Sequence, residues 1–213
     1  AAGLPPAGRP GVLLSGSATG FYGDRGDEIL TEACGPGEGF LSELCLRWEA
    51  AAGPAARAGL RTVQSRTGLV VSSSGGLGRL LGAAYRVGVG ARLGRGDQWQ
   101  PWIGLEDAAA GLLWAIEHDD IRGPVNLTAP EPLRNRDLHR LLSRACGPPS
   151  IAVVPQALLD RAGRSGATGG TGGIGSMLAE LLGASQCAVP QALLASGFRF
   201  TAPGAASIWG LGA

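Results

Sequence analysis

The chain contains 213 residues, of which 45% are hydrophobic, and its 18 basic and 17 acidic residues leave a formal net charge of +1. This length and hydrophobicity predict one globular core and exclude a disordered chain. The balanced charge offers no basic surface for nucleic acid or for an anionic membrane, so small neutral partners are favoured. Every basic residue is an arginine, because the sequence contains no lysine.

The cysteines and histidines lack the spacing of a zinc site, so no metal site is predicted. They are Cys34, Cys45, Cys146, Cys187, His118 and His139. Scattered cysteines, and the lack of an apolar run of about 20 residues, predict a cytoplasmic protein with no membrane span. An organelle stroma or matrix is the alternative if a targeting segment precedes the chain.

Strands and helices alternate in the first half of the chain. The apolar run Gly11–Ser15 predicts a buried strand, followed by a loop from Ser17 to Gly26. Apolar residues at helical spacing predict a helix over Gly39–Ala52, ended by the Gly-Pro pair that follows it. A second strand is expected within Leu60–Val71, and an amphipathic stretch over Arg79–Val87.

The second half continues this alternation. We predict an ordered loop or short hairpin over Gly88–Gly104, then a helix over Leu105–His118 with Leu112, Leu113 and Ile116 on its apolar side, and then a strand over Gly123–Thr128. A helix with Asn135 as its N-cap follows, and after it an extended run Ile151–Pro155. The last predicted elements are a helix near Ser176–Leu182, a short helix between Pro190 and Gly197, and a strand at Phe198–Phe200. This order predicts an α/β fold, a partial Rossmann-like parallel sheet with helices on both faces.

The predicted organisation has three parts. Residues 1–10 form a disordered leader, residues 11–130 the C-terminal part of a Rossmann-like domain with an inserted substrate loop, and residues 131–213 a small C-terminal substrate subdomain. Within the last part, the glycine-rich residues 163–175 predict a low-complexity loop. The start of the chain lacks the alternation of a complete α/β domain, so we expect an N-terminally truncated protein.

Four stretches together resemble the extended short-chain dehydrogenase/reductases. They are SGSATGFYGD from Ser15, SRTGLVV from Ser65, GRGDQWQPWIGLEDAA from Gly94, and VNLTAPEPLRNRDL from Val125, with VPQALLASGFRF from Val189 in support. In this order they are similar to a subfamily of NAD(P)-dependent nucleotide-sugar epimerases labelled cell-division-inhibitor-like.

The resemblance implies a serine at a strand end that binds the substrate oxygen, and a Tyr-x-x-x-Lys pair on the next helix. Ser17 matches the serine, although it also fits a serine that satisfies turn backbone. The helix matches instead as Phe40-Leu-Ser-Glu-Leu44, so the acid/base pair is missing. Tyr22 is the nearby phenol expected to act as proton donor, or else as a structural tyrosine that caps the loop.

The resemblance also implies NAD or NADP as cofactor. Relatives bring the segment after the second strand against the nicotinamide, which here predicts the cofactor residues Arg66, Thr67 and Gly68, and Ser15 of the first strand is also predicted to bind the cofactor. Nothing before Gly11 supplies the glycine turn that receives the pyrophosphate, so cofactor binding is expected to be impaired. The turn Thr168–Gly175 fits the pattern by letter only, and we interpret it as an insertion, with phosphate binding as the alternative.

Candidate substrate residues come from the region where relatives build the substrate lid. These are Gln98, Trp99, Trp102 and Asp107. Buried core tryptophans, and a first-turn carboxylate that suits the helix dipole, are the competing interpretations. Gly104 stands where the family pattern has histidine.

Three functions compete. The first is an NAD(P)-dependent epimerase or oxidoreductase acting on a nucleotide-sugar or similar hydroxylated molecule, impaired as sequenced. The second is a non-catalytic nucleotide-binding or protein-interaction scaffold that self-associates through its uncovered sheet edge. The third, a hydrolase using Ser17, Asp107 and His118, lacks the G-x-S-x-G turn around the serine.

Overall fold

A three-stranded parallel sheet lies at the centre of the computed structural model, which describes residues 10–72, 82–146, 152–155, 157–158, 180, 182–202 and 204. The strands are β1 Val12–Ala18, β2 Ile29–Leu30, β3 Arg61–Thr67, β4 Leu69–Val71, β5 Ala91–Leu93, β6 Trp99–Gln100, β7 Trp102–Gly104, β8 Gly123–Leu127, β9 Leu133–Arg134, β10 Ala152–Val154 and β11 Cys187–Ala188. The helices are a 3-10 turn Thr19–Tyr22, α1 Phe40–Ala51, α2 Gly53–Arg57, α3 Leu105–Glu117, α4 Asn135–Cys146 and α5 Gln191–Ala195, and residues 82–86 are also helical.

The central sheet has the order β1-β3-β8, and its two faces differ in chemistry. Successive side chains of a strand point to opposite faces, so in-register residues share a face. Ser17, Arg66 and Asn126 are in register and form a polar row on the face that α1 contacts. The opposite face presents Val63 and Leu127 to α3 and to the main hydrophobic cluster. The predicted α/β fold, a parallel sheet with helices on both faces, is confirmed.

Four two-stranded sheets surround this centre. They pair β4 with β7, β5 with β10 and β2 with β11 in parallel, and β6 with β9 antiparallel. The region Gly88–Gly104 was expected to be a loop or hairpin, but it contributes a strand to three of these sheets.

The predicted strand within Leu60–Val71 is two strands that belong to different sheets. The chain leaves the central sheet at Gly68, where an added Cβ would lie 2.5 Å from the Pro101 carbonyl oxygen and 3.1 Å from Thr128 Cγ2. These separations are too short for any side chain to fit without movement, so a glycine is needed at the junction. Gly68 N–H donates to Leu127 O at 3.1 Å and keeps the junction attached to β8.

The first half differs from prediction at the end of β1 and agrees with it at the end of α1. Ser17 is in β1, not in the predicted loop, because the strand continues to Ala18 before the 3-10 turn. The helix α1 ends at Ala51, just before the Gly-Pro pair, as predicted, and Pro54 then lies in the first turn of α2, where its missing N–H costs nothing.

The second half requires three corrections. Leu113 and Ile116 of α3 are 54% and 43% exposed, and the buried side of α3 is formed by smaller residues such as Ala108 and Ala115. Asn135 caps no helix through its side chain, because Asn135 Oδ1 accepts the Leu93 N–H at 2.9 Å. Residues 198–200 form no ladder with described residues, and the rings of Phe198 and Phe200 pack edge to face at 4.8 Å instead.

Some predictions lie outside the described residues. These are the leader up to residue 9, the loop 163–175 with its turn Thr168–Gly175, and most of the helix near Ser176–Leu182. The boundaries of the three predicted parts stay predictions. Within the part that the structure describes, no helix is both long and apolar enough to cross a membrane.

Candidate functional site

A buried polar network occupies the carboxyl ends of the three central strands, the edge at which open α/β sheets bind ligands. Ser17 Oγ donates to Glu49 Oε1 at 2.8 Å. Arg66 holds the same carboxylate with two parallel bonds, Nε to Oε1 at 2.9 Å and Nη2 to Oε2 at 3.0 Å. The Arg66 side chain is 5% exposed and the Glu49 side chain 16%, so water screens this ion pair little.

The network continues from Arg66 to the next strand. Arg66 Nη1 donates to Tyr22 Oη at 3.0 Å, and Tyr22 Oη lies 2.7 Å from Asn126 Oδ1. The guanidinium also stacks on the Phe21 ring at 3.5 Å. Burial alone would lower the pKa of Arg66, but its bonds to Glu49 and Tyr22 outweigh burial and raise that pKa.

Asn126 joins the sheet to the C-terminal segment. Its side chain is fully buried, and Nδ2 donates to Leu30 O at 3.1 Å and to Val189 O at 2.9 Å. The Asn126 N–H donates to Glu32 Oε1 at 3.0 Å, and the same oxygen accepts the N–H of Ala192 at 3.1 Å. Asn126 thus ties β8 to β2 and to the segment between β11 and α5, and Glu32 extends the link to α5.

The surroundings of Tyr22 favour a structural role over proton donation. Its side chain is 0% exposed, and its hydroxyl already contacts Arg66, Asn126 and the Thr31 carbonyl at 3.1 Å. Burial raises the pKa of Tyr22 above the usual 10.0, although Arg66 and Asn126 act in the opposite direction. A donor role for Tyr22 stays a prediction, because a substrate would reach its hydroxyl only if this cluster opened.

We therefore expect Tyr22 to remain a neutral phenol at pH 10.0. Because its folded-state pKa is raised, the stability it contributes is complete below its unfolded pKa and is lost as pH rises through the folded value. The phenolate absorbance of the wild type minus that of Tyr22→Phe isolates this group, since the chain has 2 tyrosines. A difference curve with its midpoint below pH 10 would contradict the assignment.

The predicted cofactor residues lie at or near the carboxyl end of the sheet. Ser15 lies inside β1, pairs with Gln64 of β3 and shares the face of Ser17, whereas Thr67 ends β3 on the face opposite to Arg66. The half-buried Thr67 Oγ1 lies 2.8 Å from Ser65 Oγ. A Cβ added at Gly16 would meet nothing within 4 Å, so the same face has open space near this edge. The donors of Arg66 are engaged by protein groups as well.

Two predicted substrate residues are inside the fold. Asp107 is 1% exposed, and its carboxylate accepts the N–H and Oγ1 of Thr201 at 2.8 and 2.7 Å and the Ala202 N–H at 2.9 Å. It thereby anchors the C-terminal segment to the first turn of α3. Trp102 is 1% exposed, and its Nε1 donates to Glu131 O at 2.9 Å. Both arrangements match the structural alternatives, and the substrate roles stay predictions.

Of the other two, Gln98 lines an open cleft and Trp99 contacts two of its lining residues. Gln98 lines a cleft of about 450 Å³ together with Asp27 and Arg134. Trp99 Nε1 donates to Asp27 Oδ1 at 2.9 Å, and the Arg134 guanidinium lies over the Trp99 ring at 4.2 Å. The structure thus places Gln98 and Trp99 at one cleft, which neither Trp102 nor Asp107 lines.

The hydrolase residues do not meet. Ser17 is bonded to Glu49, and Asp107 and His118 stand at opposite ends of α3, roughly 16 Å apart at 1.5 Å per residue. His118 is stacked on Trp114 with ring centroids 3.5 Å apart. This arrangement contains no nucleophile, base and acid in hydrogen-bonding sequence.

Sequence reasoning missed Glu49, Asn126, Asp27 and Arg134. A signal existed for Glu49, since a carboxylate follows an otherwise apolar helical stretch that was expected to pack on the sheet. Asn126 had a similar signal, as a lone amide within a buried strand. The contact of Asp27 with Arg134 joins residues 107 positions apart and had no local signal.

No protein-family model matches the chain. Individual curated proteins do match it. An epimerase family protein of Mycobacterium bovis is 38% identical over 189 residues, which cover 89% of this chain and 59% of that protein. The epimerase family protein YfhF of Bacillus subtilis is 32% identical over 194 residues, which cover 91% of this chain and 60% of YfhF. The chain therefore spans about three fifths of the length of these relatives.

Solved structures agree in fold. A nucleoside-diphosphate sugar epimerase from Corynebacterium glutamicum aligns with a TM-score of 0.72 and 34% identity over 95% of this chain and 38% of that one. A human epimerase family protein, crystallised with NADPH, aligns with a TM-score of 0.81 and 25% identity over 94% of this chain and 64% of that one.

The sheet and these neighbours define the class as a Rossmann-like α/β protein of the short-chain dehydrogenase/reductase type. Within that class, the chain is a homologue of the proteins named epimerase family protein, and the resemblance predicted from its sequence is confirmed.

Proposed function

We propose that this chain forms the nicotinamide and substrate side of an NAD(P)-dependent epimerase or oxidoreductase acting on a nucleotide-sugar or similar hydroxylated small molecule. The observation that carries the proposal is the convergence of three parallel strand ends, with the hydroxyl of Thr67 and open space beside Gly16 on one face. The carboxyl ends of parallel strands are where Rossmann-like folds receive a dinucleotide. The NADPH of the human relative supports the same cofactor class.

The described residues fit the nicotinamide half of such a cofactor better than the pyrophosphate half. When bound, the nicotinamide would supply or accept the hydride. Thr67 is the side chain proposed to hold it, whereas Ser15 lies on the opposite face of the sheet, the face of Ser17. The run from Gly20 to Gly26 spells G-x-x-G-x-x-G, but it leads into β2 and not into a helix, so it has no helix N-terminus to offer a phosphate.

Both candidate acid/base residues, Ser17 and Tyr22, are hydrogen-bonded within the protein. Ser17 is 7% exposed and already donates to Glu49, while Tyr22 is inside the polar network. These two observations favour the second candidate, a non-catalytic scaffold that binds nucleotide or protein. Self-association through the free edge of β1 belongs to that candidate, since β1 has a single neighbour, β3, among the described strands.

Cofactor titration of the chain separates these outcomes. Binding is measured by the change in nicotinamide fluorescence. We expect NADPH and reduced nicotinamide mononucleotide to bind with similar affinity, because the chain contacts the nicotinamide half that the two ligands share. Thr67→Val removes the hydroxyl that faces this edge and should weaken both by about tenfold, the value of one hydrogen bond. Thr62→Val is the matched control, five positions earlier on the same strand at its other end.

Three results bear on the outcome. Equal loss in both variants, or no binding at millimolar cofactor, would refute the nicotinamide site. Binding without NADPH oxidation across a panel of nucleotide-linked and free keto sugars would establish the scaffold alternative. Oxidation that survives Ser17→Ala would remove Ser17 from the proposed catalytic role.

A further inference from the structure

Helix α1 turns its more apolar side away from the rest of the molecule. Its inner side carries Ser42, Cys45 and Glu49, which are bonded to or packed against the protein. On its outer side, Phe40 and Trp48 are 59% and 46% exposed. A surface helix normally buries its apolar stripe and leaves its polar side in water. The reversed arrangement in α1 indicates an interaction surface.

The outer side of α1 carries an apolar stripe with one charge of each sign beside it. Phe40, Leu44 and Trp48 follow one another at intervals of four residues, so they share one side of the helix over about 12 Å. Glu43 and Arg47 flank Leu44 and are both exposed. Neither charge forms an ion pair or a side-chain hydrogen bond with a described residue. Both are therefore available to a partner.

This stripe is complementary to its own reverse. An aromatic ring stands four residues before Leu44 and another four residues after it, with the acidic residue on one side and the basic residue on the other. In an antiparallel pair of helices with a two-fold axis at Leu44, Phe40 of each copy faces Trp48 of the other. Glu43 of each copy then lies about 3 Å along the helix axis from Arg47 of the other, within reach of an arginine side chain. Symmetry forms each of these contacts twice.

We propose that two copies of this chain associate through the outer sides of their α1 helices, antiparallel and about a two-fold axis at Leu44. The self-complementary stripe favours a second copy over an unrelated protein, because one surface supplies both halves of every contact. One helix side covers less than the about 800 Å² per partner of a standard interface, so we expect a reversible dimer of micromolar affinity.

The proposed interface does not depend on the proposed function. Helix α1 packs on the face of the sheet that carries Ser17, whereas Thr67 is on the opposite face. Dimer formation and cofactor binding can therefore be measured independently, and the failure of one leaves the other standing.

Sedimentation velocity of the whole chain, over concentrations that span the micromolar range, tests the interface. We expect a monomer that converts to a dimer as concentration rises. Leu44→Asp places two carboxylates at the two-fold axis and should raise the dissociation constant by about tenfold or more. Leu113→Asp is the matched control, because Leu113 is a 54% exposed leucine on α3, and it should leave the dimer unchanged.

Two charge variants test the antiparallel arrangement. Glu43→Arg and Arg47→Glu each bring like charges together across the axis, so each variant alone should dimerise about tenfold more weakly. An equal mixture of the two should recover dimer formation, because the introduced arginine of one copy faces the introduced glutamate of the other. The two unchanged charges, Arg47 of one copy and Glu43 of the other, still attract. A residue that only supports the fold of its own chain would not give this recovery.

Three outcomes would overturn the proposal. These are a monomer at every concentration, a dimer that Leu44→Asp leaves intact, as pairing through the edge of β1 would give, and a mixture of the charge variants that stays monomeric. Far-UV circular dichroism verifies the fold of each variant. If Leu44→Asp does not fold, the mixture of the two charge variants decides the test, because both of its substitutions are at exposed positions.

Discussion

Arg66→Met is expected to destabilise the fold by about 3–5 kcal/mol, because removing one partner of a buried ion pair leaves the other charge uncompensated. Glu49 would lose both bonds from the guanidinium, Tyr22 would lose its donor, and the stacking on Phe21 would disappear. Urea unfolding followed by tryptophan fluorescence measures the change.

Two further variants show whether the buried pair is responsible. Arg140→Met removes an exposed arginine paired with Asp137 at 2.8 Å and should change stability by no more than about 0.5 kcal/mol. Arg66→Met combined with Glu49→Leu should be more stable than Arg66→Met alone, because the isolated carboxylate is gone. A loss below about 1 kcal/mol for Arg66→Met would show that the network contributes little.

Asn126→Asp should cost about 3 kcal/mol or more at neutral pH. The substitution keeps the shape of the side chain but places an oxygen where Nδ2 now donates to Leu30 O and Val189 O. A carboxylate facing two carbonyls without water is strongly unfavourable. The same position also loses the link between β8 and the C-terminal segment.

This loss should depend on pH, with a defined sign. Burial raises the pKa of the introduced carboxyl above its unfolded value of about 3.9, so the variant is nearest to wild type below that pH. Its stability should then fall as pH rises, by at most about 1.4 kcal/mol per pH unit. Asn135→Asp is the matched control, because its Oδ1 would still accept the Leu93 N–H and a carboxylate suits the start of α4. A pH-independent difference between Asn126→Asp and wild type would contradict this account.

The sequence was sufficient for the elements that depend on local patterns. The strand at Val12, the helices beginning at Phe40 and Leu105, and the strand at Gly123 follow from apolar spacing and chain breakers. The separation of β3 from β4 at Gly68 does not follow from local patterns, because it depends on the close approach of Pro101, which lies between β6 and β7. The sides of α3 were also misassigned, since small residues such as Ala108 face the sheet and larger ones remain at the surface.

The sequence predicted where the residues of the candidate site lie better than it predicted their hydrogen-bond partners. Ser17, Tyr22 and Arg66 were correctly expected near the strand ends, and the structure brings them into one network. Their mutual bonding through Glu49 was not predictable, because it requires knowing which face of α1 meets the sheet. Gln98 and Trp99 show the opposite case, in which a family pattern located a cleft whose acidic wall comes from a distant loop.

The junction at Gly68 makes the ligand end of the central sheet sensitive to residues that touch no ligand. Leu69 N–H is held by Pro101 O at 2.6 Å, so a small shift of the β6–β7 corner must move the peptide that follows Thr67. Substitutions around Pro101 would therefore alter the position of the Thr67 hydroxyl by mechanical coupling. Affinity at this edge can then be adjusted during evolution by changes in a neighbouring sheet while the strand-end residues themselves stay the same.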